Sequence, residues 1–441
     1  MLEIIRLFLQ SKELFEKCRR KKNFFIRNRV LTFHKIILFI LNLIRKSLQI
    51  ELFSFAKRGE IKEVSKQAFS KARRKLDPIV FKLLNQKLIQ EFYTDNEIKT
   101  FHGFRILSVD GSQIHLPSSK ELINYYGTWQ NKNKKTPMGQ ASMLFDVLNK
   151  ITVDSTIVPY KTSERDLALE HIKNIIEINK DTGFVKNGIT DLFLFDRGYP
   201  SMELIISLCK NKKDFIMRCP RLFLNAVKKA VNKGKQDQII EIKFADLSES
   251  AQARIKQKTG NFNENKIIQA RVLLFELKSG EQEILLTSLL DQKEYLPIDF
   301  FNLYSMRWDI EENYKFQKSI AEMENFSGKS KLTIEQDFFA TVFTCNFTSI
   351  LMQEAQDEMN EALEHKKYKH KYKINRNLGL GLLKDELIKV ILSNENLDKF
   401  CEKVKFQMKK YLVPIRPGRS FPHPRAKGKT KRCSMNCRSG I

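Results

Sequence analysis

Three stretches of this 441-residue chain carry side chains able to do chemistry. In Ile106-Leu107-Ser108-Val109-Asp110-Gly111-Ser112 a carboxylate closes an apolar run and a glycine follows it, and Leu192-Phe193-Leu194-Phe195-Asp196-Arg197-Gly198-Tyr199 repeats the arrangement. A carboxylate at the end of a buried strand costs on the order of a few kcal/mol to desolvate unless a cation or hydrogen bonds compensate it. Taken singly, each reads as a turn-initiating aspartate. Two in one strand-rich unit favour a catalytic role. The third stretch, Tyr304 to Lys318, reads as a helix. With Tyr304 at zero and steps of ~100°, Arg307 falls at about −60°, Glu311 at about −20° and Lys318 at about −40°. Trp308 and Tyr314 border this charged stripe on either side. A surface row of i,i+4 ion pairs is the ordinary reading of such a helix, and it leaves the aromatic borders unexplained.

The elements that must position these residues follow from periodicity. Residues 1–100 read as helices over Leu2–Lys17, Val30–Ile50, Ile61–Arg74 and Pro78–Phe92, the last opened by Asp77 as N-cap with proline behind it. From 104 the texture changes to strands: Phe104–Asp110, ended by Gly111, then Gln140–Val147, Ile151–Tyr160 and, after a helix over about 163–180, Asp191–Asp196. Further strand-like runs lie at 213–220, 238–244, 267–277 and 283–290. Two long helical patterns, about 334–365 and 379–408, precede a proline- and arginine-rich tail at 414–441. No internal repeat is present.

Composition narrows the class. With 42% apolar residues the chain can bury a large core, and seven scattered cysteines argue against a disulfide scaffold and fit a reducing compartment. The longest apolar stretch, Val30–Ile44, is broken by His34 and Lys35, so no membrane span and no secretory signal are expected. The net charge of +27 is uneven: residues 1–100 hold 23 basic against 10 acidic residues and residues 401–441 hold 12 against 1, while the 300 between are close to neutral. Cationic ends on a near-neutral body suit a polyanion such as nucleic acid, because each neutralised phosphate releases counterions. Cys433 and Cys437 near His423 lack the second cysteine pair of a zinc site, and the glycines at 379 and 381 lack the strand and third glycine of a dinucleotide loop. His102 and His115 flank the first aspartate and read as polar neighbours.

The spacing Y-x2-R-x3-E-x6-K, met in full by Tyr304, Arg307, Glu311 and Lys318, resembles the signature of the DDE transposases of bacterial insertion sequences, in the family numbered four. Ser108–Ser112 resembles that family's first aspartate motif, Phe195–Tyr199 its second, and Phe69–Leu76, with Arg73 and Arg74, its N-terminal arginine motif. The resemblance covers about residues 60–320. It implies an α/β fold with a ribonuclease H-like catalytic core, a mixed sheet flanked by helices, divided as a helical DNA-binding domain (1–100), a first core part (101–212), a β-rich insertion (213–300), the glutamate helix (301–330), a C-terminal helical region available for dimerisation (331–413) and the basic tail (414–441). It further implies that Asp110, Asp196 and Glu311 hold two Mg²⁺ ions, with Mn²⁺ able to substitute, for cleavage at element ends and strand transfer into target DNA. Arg307, Lys318, Tyr304, Arg73 and Arg74 would then touch DNA. The implied partners are double-stranded DNA, as terminal inverted repeats and target, and a second copy of the chain on paired ends; the implied location is the bacterial cytoplasm at the nucleoid. One departure stands out: no tryptophan lies between Asp196 and Tyr304, where relatives that pass through a DNA hairpin use one for a flipped base. The alternative is a DNA-binding protein derived from a transposase that no longer cuts.

Overall fold

The computed structural model describes residues 2–416 apart from 28, 44–46, 60, 96–97, 132–133, 182–187, 260–264, 266, 278, 365–369 and 393–396. Most of the expected basic tail, including His423, Cys433 and Cys437, therefore lies outside the described residues. Six helices open the chain: α1 (Leu2–Gln10), α2 (Lys12–Cys18), α3 (Phe33–Leu41), α4 (Leu48–Arg58), α5 (Lys66–Arg73) and α6 (Ile79–Asp95). The mixed part follows as β1 (Phe104–His115), α7 (Lys120–Tyr126), β2 (Thr128–Asn131), β3 (Lys134–Asp146), β4 (Ile151–Pro159), α8 (Glu164–Asp181), β5 (Thr190–Phe195), α9 (Met202–Lys210), β6 (Asp214–Arg218), α10 (Asn225–Lys233), β7 (Asp237–Ile242), α11 (Glu249–Thr259), β8 (Ile268–Glu276) and β9 (Gln282–Thr287). Then come α12 (Pro297–Ser305), α13 (Trp308–Lys315), a π-helical turn (Phe316–Ile320), α14 (Lys331–Leu363), β10 (Lys371–Ile374), α15 (Arg376–Leu392), α16 (Leu397–Lys410) and β11 (Leu412–Ile415).

Among the described residues one mixed sheet runs in the order β4-β3-β1-β5-β6-β9-β8-β7, with the short β2 also on β3. β1 is antiparallel to β3 and parallel to β5, and β5 is parallel to β6. The apolar runs Ile106–Val109 and Leu192–Phe195 are the two central strands, buried on both faces, which is why they read as continuous rather than alternating. The runs at 213–290 form strands as expected, but β6, β9, β8 and β7 continue the core sheet, and α10 and α11 lie among them. Helices flank the sheet: α8 packs on β1, β3 and β4, while α6 and α14 pack on β4 and α13 on β1.

α14 organises the helical layer. Residues 336–351 are buried without exception, the mark of a helix enclosed on all sides. It contacts α3, α6, α15 and α16, so the N-terminal helices and the C-terminal ones share a single apolar core with the sheet. A buried polar spine fixes it to the sheet. Asn346 accepts from Thr152 N (2.8 Å) and donates to Thr152 O (2.7 Å) and Asn85 Oδ1 (2.7 Å), while Asn313 of α13 donates to Thr152 Oγ1 (3.1 Å).

Arg73 corrects an expectation. Resembling an N-terminal DNA-contacting motif, it instead turns inward, only 3% exposed, and donates to Asp337 Oδ1 (2.6 Å), Gln336 Oε1 (2.5 Å), the Thr333 carbonyl (3.2 Å) and Ser327 Oγ. A carboxylate sealed inside α14 needs a cation, and Arg73 supplies it from α5. Arg74, one residue on, is exposed. Removing one partner of such a buried pair strands the other. Arg73→Ala should therefore destabilise the protein by ~3–5 kcal/mol, and Arg74→Ala by no more than ~0.5 kcal/mol, read as shifts in the urea denaturation midpoint. Equal shifts would contradict the assignment of Arg73 to the core.

Candidate active site

Strand register alone brings the two aspartates together. In the parallel β1–β5 pair the last matched residues are Ser108 and Leu194. Two residues beyond each stand Asp110 and Asp196, on neighbouring strands separated by about 4.8 Å. Here β5 ends, whereas β1 runs on to His115 with β3 as its only strand neighbour. The expected stop at Gly111 does not occur. At Gly111 a side-chain carbon would stand 2.5 Å from Gln140 Nε2 and 2.6 Å from Glu164 Oε1, so any larger residue would displace the ends of those two side chains from beside Asp110. Each aspartate is steadied by the backbone after it, Asp110 Oδ1 accepting from Gly111 N and Asp196 Oδ1 from Gly198 N, both at 2.8 Å.

The third segment lies along the extension of β1. Tyr314 Oη donates to Asp110 O (3.0 Å), Lys318 Nζ to Gln113 O (2.5 Å), and Glu324 Oε1 accepts from His115 N (3.0 Å) while also facing Lys318 at 3.7 Å. Lys318, expected to hold a DNA phosphate, bonds to β1 in this DNA-free structure. The single helix expected over 304–318 is three pieces. Bonds from Met306, Arg307, Asp309 and Ile310 reach back three residues, tightening the chain between α12 and α13, and the π-helical turn from Phe316 loosens it again. Even steps of 100° hold only within α13, so the stripe drawn through Lys318 is not a straight row.

Arg307, expected to touch DNA, is buried, at 5% exposure. Its Nη2 donates to Glu311 Oε1 (3.0 Å), and its guanidinium lies 4.6 Å from the Trp308 ring centre and 6.0 Å from that of Tyr304, itself buried. Its charge is spent on the acids. Burial first, then the charges of Asp196 and Glu311, push the Asp110 carboxyl up to about 7, against the opposing pull of the Gly111 amide and Arg307. Asp110, Asp196 and Glu311 therefore share one electrostatic neighbourhood. Among the described residues no three His, Cys, Asp or Glu side chains stand close enough to share an ion as they lie.

Two further residues belong to this neighbourhood: Glu164, absent from the sequence reading, and Tyr199, which closes the second aspartate motif without a role assigned to it. Glu164 opens α8, accepts from Gln140 Nε2 (2.9 Å), and has its carboxyl raised by burial and by the charge of Asp196. Tyr199, 1% exposed, lies within the fields of Asp110, Glu164 and Asp196. Glu164 left no trace in the sequence beyond its place after the third strand-like run, where a first-turn acid is ordinary. His102, by contrast, packs against Phe101 and Tyr295.

Comparison with known proteins now decides the family. A model of the Transposase DDE domain matches residues 102–347, more than half the chain, and that span holds both aspartates and the glutamate helix. The chain belongs to the DDE-domain transposases. It is 25% identical to the putative transposase InsZ of Escherichia coli (strain K12) over 149 residues, 33% of this chain and 46% of that protein. With the transposase InsG for insertion sequence element IS4, from the same organism, it shares 24% identity over 296 residues, 66% of this chain and 61% of the relative. The matches thus span less than two thirds of either relative. Among solved structures, a piggyBac transposase synaptic complex with hairpin DNA overlays with a TM-score of 0.44 at 10% identity, covering 99% of this chain and 90% of that one.

The raised Asp110 carboxyl gives this transposase a testable pH signature. Its folded value lies above the unfolded one, so the folded state holds the extra proton; the associated stability is complete below about pH 4 and is lost as the pH climbs to about 7. In metal-free buffer Asp110→Asn should melt above the wild type, by a margin that widens from pH 5 to 7 and then levels off. A margin independent of pH, read by calorimetry, would refute the raised Asp110 carboxyl described here.

Proposed function

We propose that this chain cleaves DNA at the ends of its insertion sequence and transfers the freed strand to target DNA, with Asp110, Asp196 and Glu311 holding two divalent cations. The observation that carries the reading is the in-register placement of Asp110 and Asp196 with Glu311 close enough to raise Asp110. The donor set fits the ions: every donor is a carboxylate oxygen, the set suited to Mg²⁺ or Mn²⁺, and acids that repel one another are what an arriving dication stabilises. Bound there, two such cations activate the attacking oxygen and stabilise the leaving oxygen of a phosphodiester.

The protein's own groups do the rest. Tyr314 and Lys318 hold the extended β1, Arg307 holds Glu311 and tempers Asp110, and the strand order β4-β3-β1-β5-β6, antiparallel then parallel, supports a ribonuclease H-like core. For DNA, the reading draws on the exposed Arg74 and on an open cleft lined by Arg27, Arg29, Lys71 and Lys75, with Lys75 over the Phe24 and Phe25 rings at 5.6 and 6.0 Å. A second copy joins on paired ends. No helix among the described residues is long and apolar enough to cross a membrane.

The decisive assay incubates the protein with a duplex carrying its element ends, beside a random duplex, in Mg²⁺. Wild type should cut the cognate duplex. Asp110→Asn, Asp196→Asn and Glu311→Gln should each lower cutting by about a thousandfold or more while leaving end binding within a few-fold. A variant that cuts at the wild-type rate removes its residue from the site, and wild-type binding without cutting would favour the non-cleaving reading.

A further inference from the structure

Three carboxylates carry the reading above, yet a fourth occupies the same space. Glu164 Oε1 stands so close to Gly111 that a side-chain carbon there would lie 2.6 Å away and push the Glu164 carboxylate aside. The first turn of α8 is also tied to the second aspartate motif, because Arg165 Nε donates to Gly198 O (2.9 Å). Nor is the helix free to shift. His171, two turns on and 1% exposed, bridges Asp154 Oδ2 on β4 (2.8 Å) and Ser142 Oγ on β3 (2.9 Å), and Asn174 adds a third bond to Asp154 (2.8 Å). Ser142 is the strand partner of Gly111, so one buried chain of hydrogen bonds fixes α8 relative to β1 at the residue beside Asp110.

An ordinary first-turn acid complementing its helix would account for none of this closeness to Gly111. A second observation points to a ligand. The Tyr199 hydroxyl is buried within the fields of Asp110, Glu164, Tyr314 and Asp196 and has no hydrogen-bond partner among the described residues. A buried hydroxyl is seldom left unpaired without a reason such as a missing ion or water.

We propose that Glu164 is a fourth carboxylate of the divalent-cation site and that the Tyr199 hydroxyl completes its bonding on the ligand that fills it. The inference rests on the three-carboxylate reading. Charge supplies the rationale: three carboxylates beside the Arg307 guanidinium leave a formal charge of about −2 to face two dications, and Glu164 narrows that deficit. Glu164 is exposed as a residue although its carboxyl is partly buried, so an ion arriving from solvent can still reach it.

The test is Mn²⁺ titration of the DNA-free full-length protein by calorimetry, with cleavage as a second readout. Glu164→Gln, which keeps the bond to Gln140, should weaken Mn²⁺ binding about tenfold or more and raise the Mg²⁺ concentration for half-maximal cutting by a similar factor. Glu164→Asp, which keeps the charge one carbon further back, should fall between. Asp166→Asn on the same helical turn, whose partner is Lys258, should bind as the wild type does. If Glu164→Gln binds Mn²⁺ normally while Asp110→Asn does not, the fourth carboxylate is overturned and the other three stand. Normal Mn²⁺ binding in Asp110→Asn as well would overturn both.

Discussion

Burial of closely set carboxylates, with their mutual repulsion as a smaller addition, is the constraint around which this site is arranged. Parallel pairing of β1 with β5 sets Asp110 and Asp196 on adjacent strands with their charges abreast, and α13 adds Glu311. Left to relax, such acids would move apart or take up protons, and Asp110 does lean toward its proton. The surrounding structure prevents the first outcome. Buried sheet ladders fix the strands, Thr152 and its asparagine partners fix α13 to β4, and Tyr314 and Lys318 bond to the carbonyls of Asp110 and Gln113. One internal cation, Arg307, softens the field without cancelling it. A site held this way keeps its acids close against their charge, with no distortion of the backbone.

The same logic explains the distant parts of the fold. α14 crosses the interior carrying Asp337, which obliges Arg73 to come in from α5, and carrying Asn346, which grips β4 behind the site. The N-terminal helices consequently share one apolar core with the sheet. A β-bulge between Leu144 and Phe145 of β3, where β4 inserts Val153, allows Thr152 to serve α13 and α14 while Asp154, two residues on, serves α8. Both helices that approach the aspartates are thus indexed to one short segment of β4.

How much of this was legible depended on whether a signal was local. The strands bearing Asp110 and Asp196 were readable because a short, unbroken apolar run closed by a carboxylate is the pattern of a central strand buried on both faces. Glu311 was readable through its spacing from Tyr304 and Arg307. The partners of the basic residues were not. A guanidinium suits a phosphate or a buried carboxylate equally, and only the tertiary fold sends Arg73 to Asp337 and Arg307 to Glu311. Lys318 was misplaced because the helical wheel assumes uniform steps, which the tight turns before α13 and the π-helical turn after it violate. Gly111 looked like a turn and proved to be a clearance. Glu164 was invisible, since its meaning comes from a β1 neighbour far away in the chain.

The central claim, that these carboxylates form one cation site, is tested most directly by anomalous diffraction from crystals of the metal-free transposase soaked in Mn²⁺ and recorded at the manganese absorption edge. Such crystals should show one or two anomalous peaks bounded by Asp110, Asp196 and Glu311, with Arg307 outside their coordination. Peaks elsewhere, with none among these three residues at saturating Mn²⁺, would contradict it.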